Sequence, residues 1–135
     1  MNRREAREQA FILLFEHSIN HDTIDDIIDN AGLARDLMIS EFAEKIAMGA
    51  EEKETVLDAE IEAHIRGWKR NRLSKVSLSL LRLAIYEMMF EEDIPISVSI
   101  NEAVDLAKKY GGAEDAPFVN GVLGSVAKKL ETAHE

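Results

Sequence analysis

Apolar residues recur every three or four positions along most of this chain, which is the period of an amphipathic α-helix. Asn2 and Glu5 have the spacing of a helix-capping box. The apolar stripe behind them consists of Ala6, Ala10, Phe11, Leu14 and Phe15. No stretch of useful length alternates apolar and polar residues as a half-buried strand would. The pattern therefore predicts a compact all-α domain, a bundle of six to seven helices.

Turn and capping residues divide the rest of the first half. Thr23 is expected to cap a short second helix that stops at Gly32. A long third helix is predicted over about Arg35–Thr55, and Gly49 inside it costs roughly 1 kcal/mol relative to alanine. We expect that glycine to permit close helix packing, and a break in the helix is the alternative. Asp58 is expected to cap a fourth helix.

The second half contains the most apolar helix of the chain, which Ser74 is expected to open. Its apolar residues are Val76, Leu78, Leu80, Leu81, Leu83, Ala84, Ile85, Met88 and Met89. A helix with so little polar face is predicted to be the buried centre of the domain. Ser99 and Glu102 form a second capping box, Gly111–Gly112 ends that helix, and Pro117 suits the first position of the last one.

Length and composition place limits on the whole molecule. With 135 residues, of which 46% are hydrophobic, the chain fits one domain, with a seam near Gly67 between halves of about 1–66 and 67–135. It has no cysteine, which excludes disulfides, thiolate nucleophiles and cysteine zinc sites. It has neither an apolar run of eighteen residues nor an apolar signal segment at its start. We therefore expect a soluble protein of the cytoplasm, without a membrane span.

The charge is unevenly distributed, and this changes how the total is interpreted. The net charge is −10, which by itself argues against a nucleic-acid partner. Segment 22–64 accounts for that excess, with thirteen acids against three bases, and the remainder is balanced. Within the remainder, one stretch has five cations and no acid: Arg66, Lys69, Arg70, Arg72 and Lys75. A local basic patch on an acidic chain keeps RNA open as a partner, although a merely solvated surface is an equal alternative.

A second basic cluster lies at the start of the first helix. Arg3 and Arg4 are spaced so that each lies beside Arg7. Guanidinium groups fit phosphate oxygens and stack on bases, and a helix start adds partial positive charge. The spacing alone leaves two readings open, namely RNA contact and a helix that is soluble because its charges are mixed.

The sequence carries few signals of catalysis or of metal binding. The chain contains no glycine-rich phosphate loop and no nucleophile elbow. His17 and His21 are four residues apart, but Asn20 between them is expected to end the helix, and no third ligand has motif spacing. We therefore expect neither an enzyme nor a cofactor or metal site.

Two segments together resemble the NusB family of transcription antitermination factors. The first is Arg3-Arg4-Glu5-Ala6-Arg7-Glu8-Gln9-Ala10-Phe11, followed by Leu14-Phe15. The second comprises the runs Leu81-Arg82-Leu83-Ala84-Ile85-Tyr86-Glu87, Ile100-Asn101-Glu102-Ala103-Val104-Asp105-Leu106-Ala107-Lys108 and Phe118-Val119-Asn120-Gly121-Val122-Leu123. Their order and spacing cover nearly the whole chain, whereas residues 20–60 match only loosely.

The resemblance implies two small helical sub-bundles packed together. It also implies binding of boxA RNA in nascent ribosomal transcripts together with NusE, in a complex with NusA, NusG and RNA polymerase that suppresses termination. It implies no catalysis and no cofactor, and some members form homodimers. The region Tyr86–Ile100 is our expectation for the surface that faces NusE.

Individual residues take expected roles from the family pattern. Arg3, Arg4 and Arg7 match the arginine-rich start that contacts RNA, and Asn120 lies in a signature close to the RNA face, where a backbone-satisfying role is the alternative. Gly124 stands where some relatives have aspartate. Our hypothesis is one basic track formed by the arginine cluster and by the turn that carries Lys69, Arg70, Arg72 and Lys75.

Two rival functions remain open at this point. One is a helical RNA-recruiting module related to a region attached to ribosomal RNA cytosine methyltransferases, whose catalytic part would need a separate nucleotide-binding domain. The other is a protein-binding scaffold without any RNA preference. Selective RNA binding discriminates against the scaffold, and S-adenosylmethionine binding would favour the methyltransferase relative.

Overall fold

A computed structural model describes residues 2–35, 38–67 and 69–133, apart from the side chains of 32–35. Within these ranges the chain forms helices and no strand, so the all-α prediction is confirmed. The helices are α1 (Arg3–Asn20), α2 (Ile24–Arg35), α3 (Glu41–Glu52), α4 (Glu54–His64), α5 (Lys75–Phe90), α6 (Ile96–Tyr110) and α7 (Asp115–Ala133), with a 3-10 turn at Arg70–Arg72.

Three helices begin where the capping residues predicted. The Asn2 side chain accepts a hydrogen bond from the Glu5 amide at 2.8 Å, which satisfies one of the free amides of α1. Thr23 accepts similarly from the amide of residue 26 at 3.2 Å, and Ser74 from the amide of residue 77 at 3.0 Å. Local side-chain chemistry therefore fixes the starts of α1, α2 and α5.

The predicted end of α2, both predicted ends of α3 and the predicted start of α4 were wrong. Helix α2 continues through Gly32. Helix α3 begins only after Ser40, whose side chain caps it, and a break at Lys53 separates it from α4. Asp58 lies inside α4 and pairs with Arg82 instead of capping a helix. The apolar period continues across that break, so periodicity alone merges two helices into one.

The second predicted capping box was also wrong. Helix α6 begins at Ile96, directly after Pro95, so Ser99 lies within its first turns. The Ser99 hydroxyl is buried and donates a hydrogen bond to Glu87 at 2.9 Å. Pro117 is the third residue of α7, where a missing amide is still harmless.

Helix α5 is the centre of the bundle, as its apolar composition predicted. It is buried on almost every side, and it packs against α1, α3, α4, α6 and α7. The resulting hydrophobic cluster includes residues of all seven helices of the described ranges. The two halves that meet near Gly67 therefore share one core, and their division stays a prediction.

Gly49 lies at a close contact between α3 and α5, as its position in mid-helix predicted. A Cβ atom at this position would overlap the ring and hydroxyl of Tyr86. The absent side chain therefore lets Tyr86 lie against the backbone of α3. In the described part of the chain, no helix combines the length and the apolar character needed to cross a membrane.

Candidate nucleic-acid interface

Arg7 forms a buried ion pair between α1 and α5. Its side chain is only 3% exposed, and its guanidinium donates two hydrogen bonds to Glu87, from Nε to Oε2 at 2.8 Å and from Nη2 to Oε1 at 3.0 Å. Because Ser99 also donates to Glu87, the carboxylate joins α1, α5 and α6. The pairing satisfies two charges that would otherwise be costly to bury.

This placement corrects the expectation that Arg7 shares an exposed face with Arg3 and Arg4. Its charge is neutralised by Glu87 and withdrawn from solvent, so in this conformation it cannot reach a phosphate. The sequence shows a cluster of three arginines, but the neighbouring positions Ala6 and Ala10 place one of them on the buried side of the helix.

Arg3 and Arg4 remain at the surface, and they have different partners. The Arg3 guanidinium lies 4.0 Å from the ring centroid of Phe42, within the range of a cation–π contact. Arg4 is 66% exposed and pairs with Glu102 at 3.1 Å and with Asp105 at 2.9 Å, both on α6. Exposed pairs of this kind are weak, so these two charges remain accessible to a strongly anionic ligand.

Arg70 is held by acids of α4. Its Nε donates to Glu62 at 3.0 Å, and its Nη1 lies 3.1 Å from Asp58. The hydrogen bond to Glu62, with the negative charges of Asp58 and Glu62, raises the pKa of Arg70 further above its ordinary value. The basic stretch contains no acid in sequence, but α4 supplies two in space.

The other cations of this stretch face solvent. Arg66, Lys69, Arg72 and Lys75 are exposed, and none of them forms an ion pair within 4.0 Å with any described residue. Four exposed charges along this turn, without an ion pair to any described residue, form a positive surface that is available to an anionic ligand. This surface, Arg66–Lys75 without the undescribed residue 68, is called the basic turn below.

Asp115 fixes the end of the basic turn. Its carboxylate accepts hydrogen bonds from the hydroxyls of Ser74 and Ser77, both at 2.6 Å, and from the Gly112 amide at 2.8 Å. Burial raises the pKa of Asp115, but these three hydrogen bonds outweigh it and leave the pKa below its ordinary value. A cleft of about 730 Å³ opens beside this carboxylate, with Arg72 on its wall.

Asn120 is exposed on α7. Side chains at Gly121 and Gly124 would meet nothing within 4 Å, so neither glycine is required by packing within the protein. The same helix contacts the end of α4, because Ser125 lies 2.7 Å from His64 Nδ1. Asn120 thus lies on an open helix surface, next to glycines that allow close approach of another molecule.

The two basic clusters are not neighbours, contrary to expectation. Arg7 pairs with Glu87, near the C-terminal end of α5. Lys75 is the first residue of α5, twelve positions before Glu87, or roughly 18 Å along the helix axis.

Two further cations, Lys108 and Lys109 at the end of α6, were not predicted from the sequence. Lys109 pairs with Glu8 of α1 at 2.7 Å, and α6 then leads through Gly112 to Asp115 beside the basic turn. These lysines lie between the two clusters because of the way α6 is rotated about its axis relative to α1. The sequence does not give that rotation.

His17, one of the two histidines considered as metal ligands, has other partners. His17 uses Nδ1 with the backbone oxygen of Asp22 at 2.6 Å and Nε2 with Glu54 at 2.9 Å. Among the side chains that the structure describes, no three His, Cys, Asp or Glu residues are grouped in a way that could hold a metal ion.

Comparison with known proteins assigns the chain to a family. The sequence profile of the NusB family matches residues 4–128. The chain belongs to the NusB family. The transcription antitermination protein NusB of Clostridium novyi (strain NT) is 45% identical over 132 residues, which cover 95% of this chain and 99% of the relative.

Solved NusB structures show the same fold. T. maritima NusB superposes with a TM-score of 0.81 at 36% identity, covering 95% of this chain and 92% of that one. A crystal structure of the antitermination factors NusB and NusE in complex with double-stranded RNA superposes with a TM-score of 0.83 at 27% identity, covering 94% and 96%. The family resemblance seen in the sequence is thereby confirmed over nearly the whole chain.

Proposed function

We propose that this protein is a transcription antitermination factor that binds boxA RNA of nascent ribosomal transcripts jointly with NusE. The observation that carries the proposal is its match, over nearly its full length, to NusB proteins, one of which has been crystallised with NusE and RNA. The exposed cations of the basic turn support it, because an RNA backbone needs positive partners that are not already neutralised.

The RNA site in this proposal combines charges from both clusters with polar groups between them. Arg3 and Arg4 contribute from α1, Lys69, Arg70, Arg72 and Lys75 from the basic turn, and Asn120 from α7. Arg7 acts indirectly, because its pair with Glu87 positions the start of α1 against α5. Lys108 is exposed on α6 and extends the same track.

RNA binding jointly with NusE is favoured because this chain offers few exposed cations to RNA. With few phosphates neutralised, the isolated chain binds RNA modestly and with strong salt dependence. NusE supplies a second RNA surface, and linking two weak contacts raises the apparent affinity without any new contact on this chain. We place NusE on the region Tyr86–Ile100, where Phe90 and Val98 are exposed apolar side chains. A homodimer would compete for such a surface.

In this role the protein performs no chemical step. It brings RNA to the antitermination complex with NusA, NusG and RNA polymerase, and it works in the cytoplasm, where transcripts emerge. Its specificity therefore depends on binding, and binding is what a test has to measure.

The test is the affinity of the full chain for a boxA oligonucleotide and for a scrambled one, with and without NusE, at two salt concentrations. We expect preference for boxA, tighter binding with NusE, and a fall in affinity as salt rises. Equal affinity for both oligonucleotides in the presence of NusE would contradict the proposal and would favour a scaffold without RNA specificity.

A further inference from the structure

A chain of ion pairs leads from the interior of the protein to the basic turn at its surface. Arg82 is buried, at 8% exposure, and its Nε donates to Asp58 Oδ1 at 2.8 Å. The same Asp58 carboxylate, at 14% exposure, also contacts Arg70 at 3.1 Å. Glu62, one helical turn further along α4, is the outermost acid and accepts from Arg70.

The two acids that hold Arg70 differ in what else they do. Asp58 neutralises the buried Arg82, so its removal would leave that charge without its bidentate partner. Glu62 is 55% exposed, and within the described ranges its only ion pair is with Arg70. Only Glu62 can therefore be changed without disturbing a buried pair.

The Glu62 carboxylate also faces the surface that would receive RNA. A surface groove of about 440 Å³ lies between α4 and the basic turn, lined by Glu62, Lys69, Arg70 and Asn71. A phosphate beside Lys69 in this groove meets the negative charge of Glu62, and it finds the Arg70 guanidinium already occupied. Repulsion of phosphate by Glu62 and competition of Glu62 for Arg70 both lower the affinity for RNA.

We propose that Glu62 limits the affinity of this protein for RNA by competing with phosphate for the guanidinium of Arg70. The inference rests on the proposed function and adds an affinity-determining residue to it. RNA that binds the basic turn has to displace Glu62 from Nε of Arg70, while Asp58 still holds Nη1 of the same guanidinium. The contact keeps the turn weakly attractive to RNA in general.

The test compares Glu62→Gln with the wild-type chain, in complex with NusE, for binding of boxA RNA and of poly(U). We expect the variant to bind both about two- to fivefold more tightly, the range of an exposed charge pair. The slope of log K against log salt should steepen by about 0.7, because one more phosphate is neutralised. Asp29→Asn is the matched control: it removes one exposed charge on α2, which packs on α1 and α3.

A double-mutant cycle separates competition for Arg70 from a general change in charge. In an Arg70→Ala background, Glu62→Gln should lose most of its effect. An equal gain in both backgrounds, or a gain no larger than that of Asp29→Asn, would overturn the inference. Melting temperatures of all variants confirm that each is folded. If boxA and scrambled RNA bind equally while Glu62→Gln still tightens poly(U), the proposed function fails and the role of Glu62 stands.

Discussion

At the start of α1 the guanidinium of Arg7 lies buried against Glu87, whereas at the basic turn Arg72 and Lys75 face solvent without an ion pair to any described residue. Both stretches are rich in arginine and lysine, and both look suited to RNA. The difference comes from the elements beside them: α1 packs on α5, and its arginines pair with acids of α5 and α6, while the turn lies between helices at the surface.

This contrast teaches that availability, and not number, decides what a cationic cluster can bind. A buried and bidentate pair withdraws its charge from any ligand. An exposed pair, such as that of Arg4 or Arg70, leaves a charge that phosphate can compete for.

The largest effect is expected for Arg7→Ala, which leaves the Glu87 carboxylate buried without its cation. We expect a loss of about 3–5 kcal/mol in the free energy of unfolding, measured by denaturant titration. Arg7→Met combined with Glu87→Leu should lose less, because it removes both charges and keeps the packing. A loss of less than about 1 kcal/mol in the free energy of unfolding of the single variant, together with a reduced salt slope for RNA binding, would instead support direct contact of Arg7 with RNA.

The next largest effect is expected at the basic turn. Arg72→Ala with Lys75→Ala should weaken RNA binding about tenfold across sequences and flatten the salt slope by about 1.4, with little change in stability. Lys45→Ala is the control, since Lys45 lies on α3 and pairs with Glu91. Equal losses in the control and in the double variant, measured without NusE, would show that only net charge matters.

Arg3→Ala sharpens the contrast with Arg7 within a single turn of helix. Arg3 loses only an exposed contact over Phe42, so the free energy of unfolding should fall by about 0.5–1 kcal/mol. RNA affinity should fall severalfold, and Arg3→Lys should restore part of it because the charge is kept. Greater damage to folding than to RNA binding would contradict the surface role of Arg3.

The smallest effect is expected for the pH dependence of stability that Asp115 contributes. Because hydrogen bonds hold its folded pKa below the ordinary value, its contribution to stability is complete above about pH 5 and is lost as the pH falls through the lower folded pKa. The difference in melting temperature between wild type and Asp115→Asn should therefore narrow between about pH 5 and pH 3. A constant difference over that interval would show that the carboxylate charge is not what anchors Ser74.

Sequence predicted the capped starts of α1, α2 and α5 and the burial of α5, because these depend on local chemistry and on composition. It missed the start of α3 at Ser40, since Met38 extends the apolar stripe in sequence yet is itself exposed. It also assigned Ser99 to a cap, because a capping box has the same spacing as a buried hydroxyl followed by an acid.

The candidate site was predicted less completely than the fold. Residue type pointed to the basic turn, which carries exposed lysines and arginines. The pairing of Arg70 with Glu62, and the separation of the two clusters along α5, depend on how α4 and α1 dock against the core. Such long-range geometry leaves no signal in the spacing of charges along one chain.

The contact between Gly49 and Tyr86 has a consequence for sequence change. Since the aromatic ring occupies the volume that a methyl group at position 49 would need, the two positions cannot vary independently. A larger residue at 49 requires a smaller one at 86, a rotation of the Tyr86 side chain, or a displacement of the two helix axes. Sequence change at position 49 therefore depends on the residue at position 86, whichever ligand the surface binds.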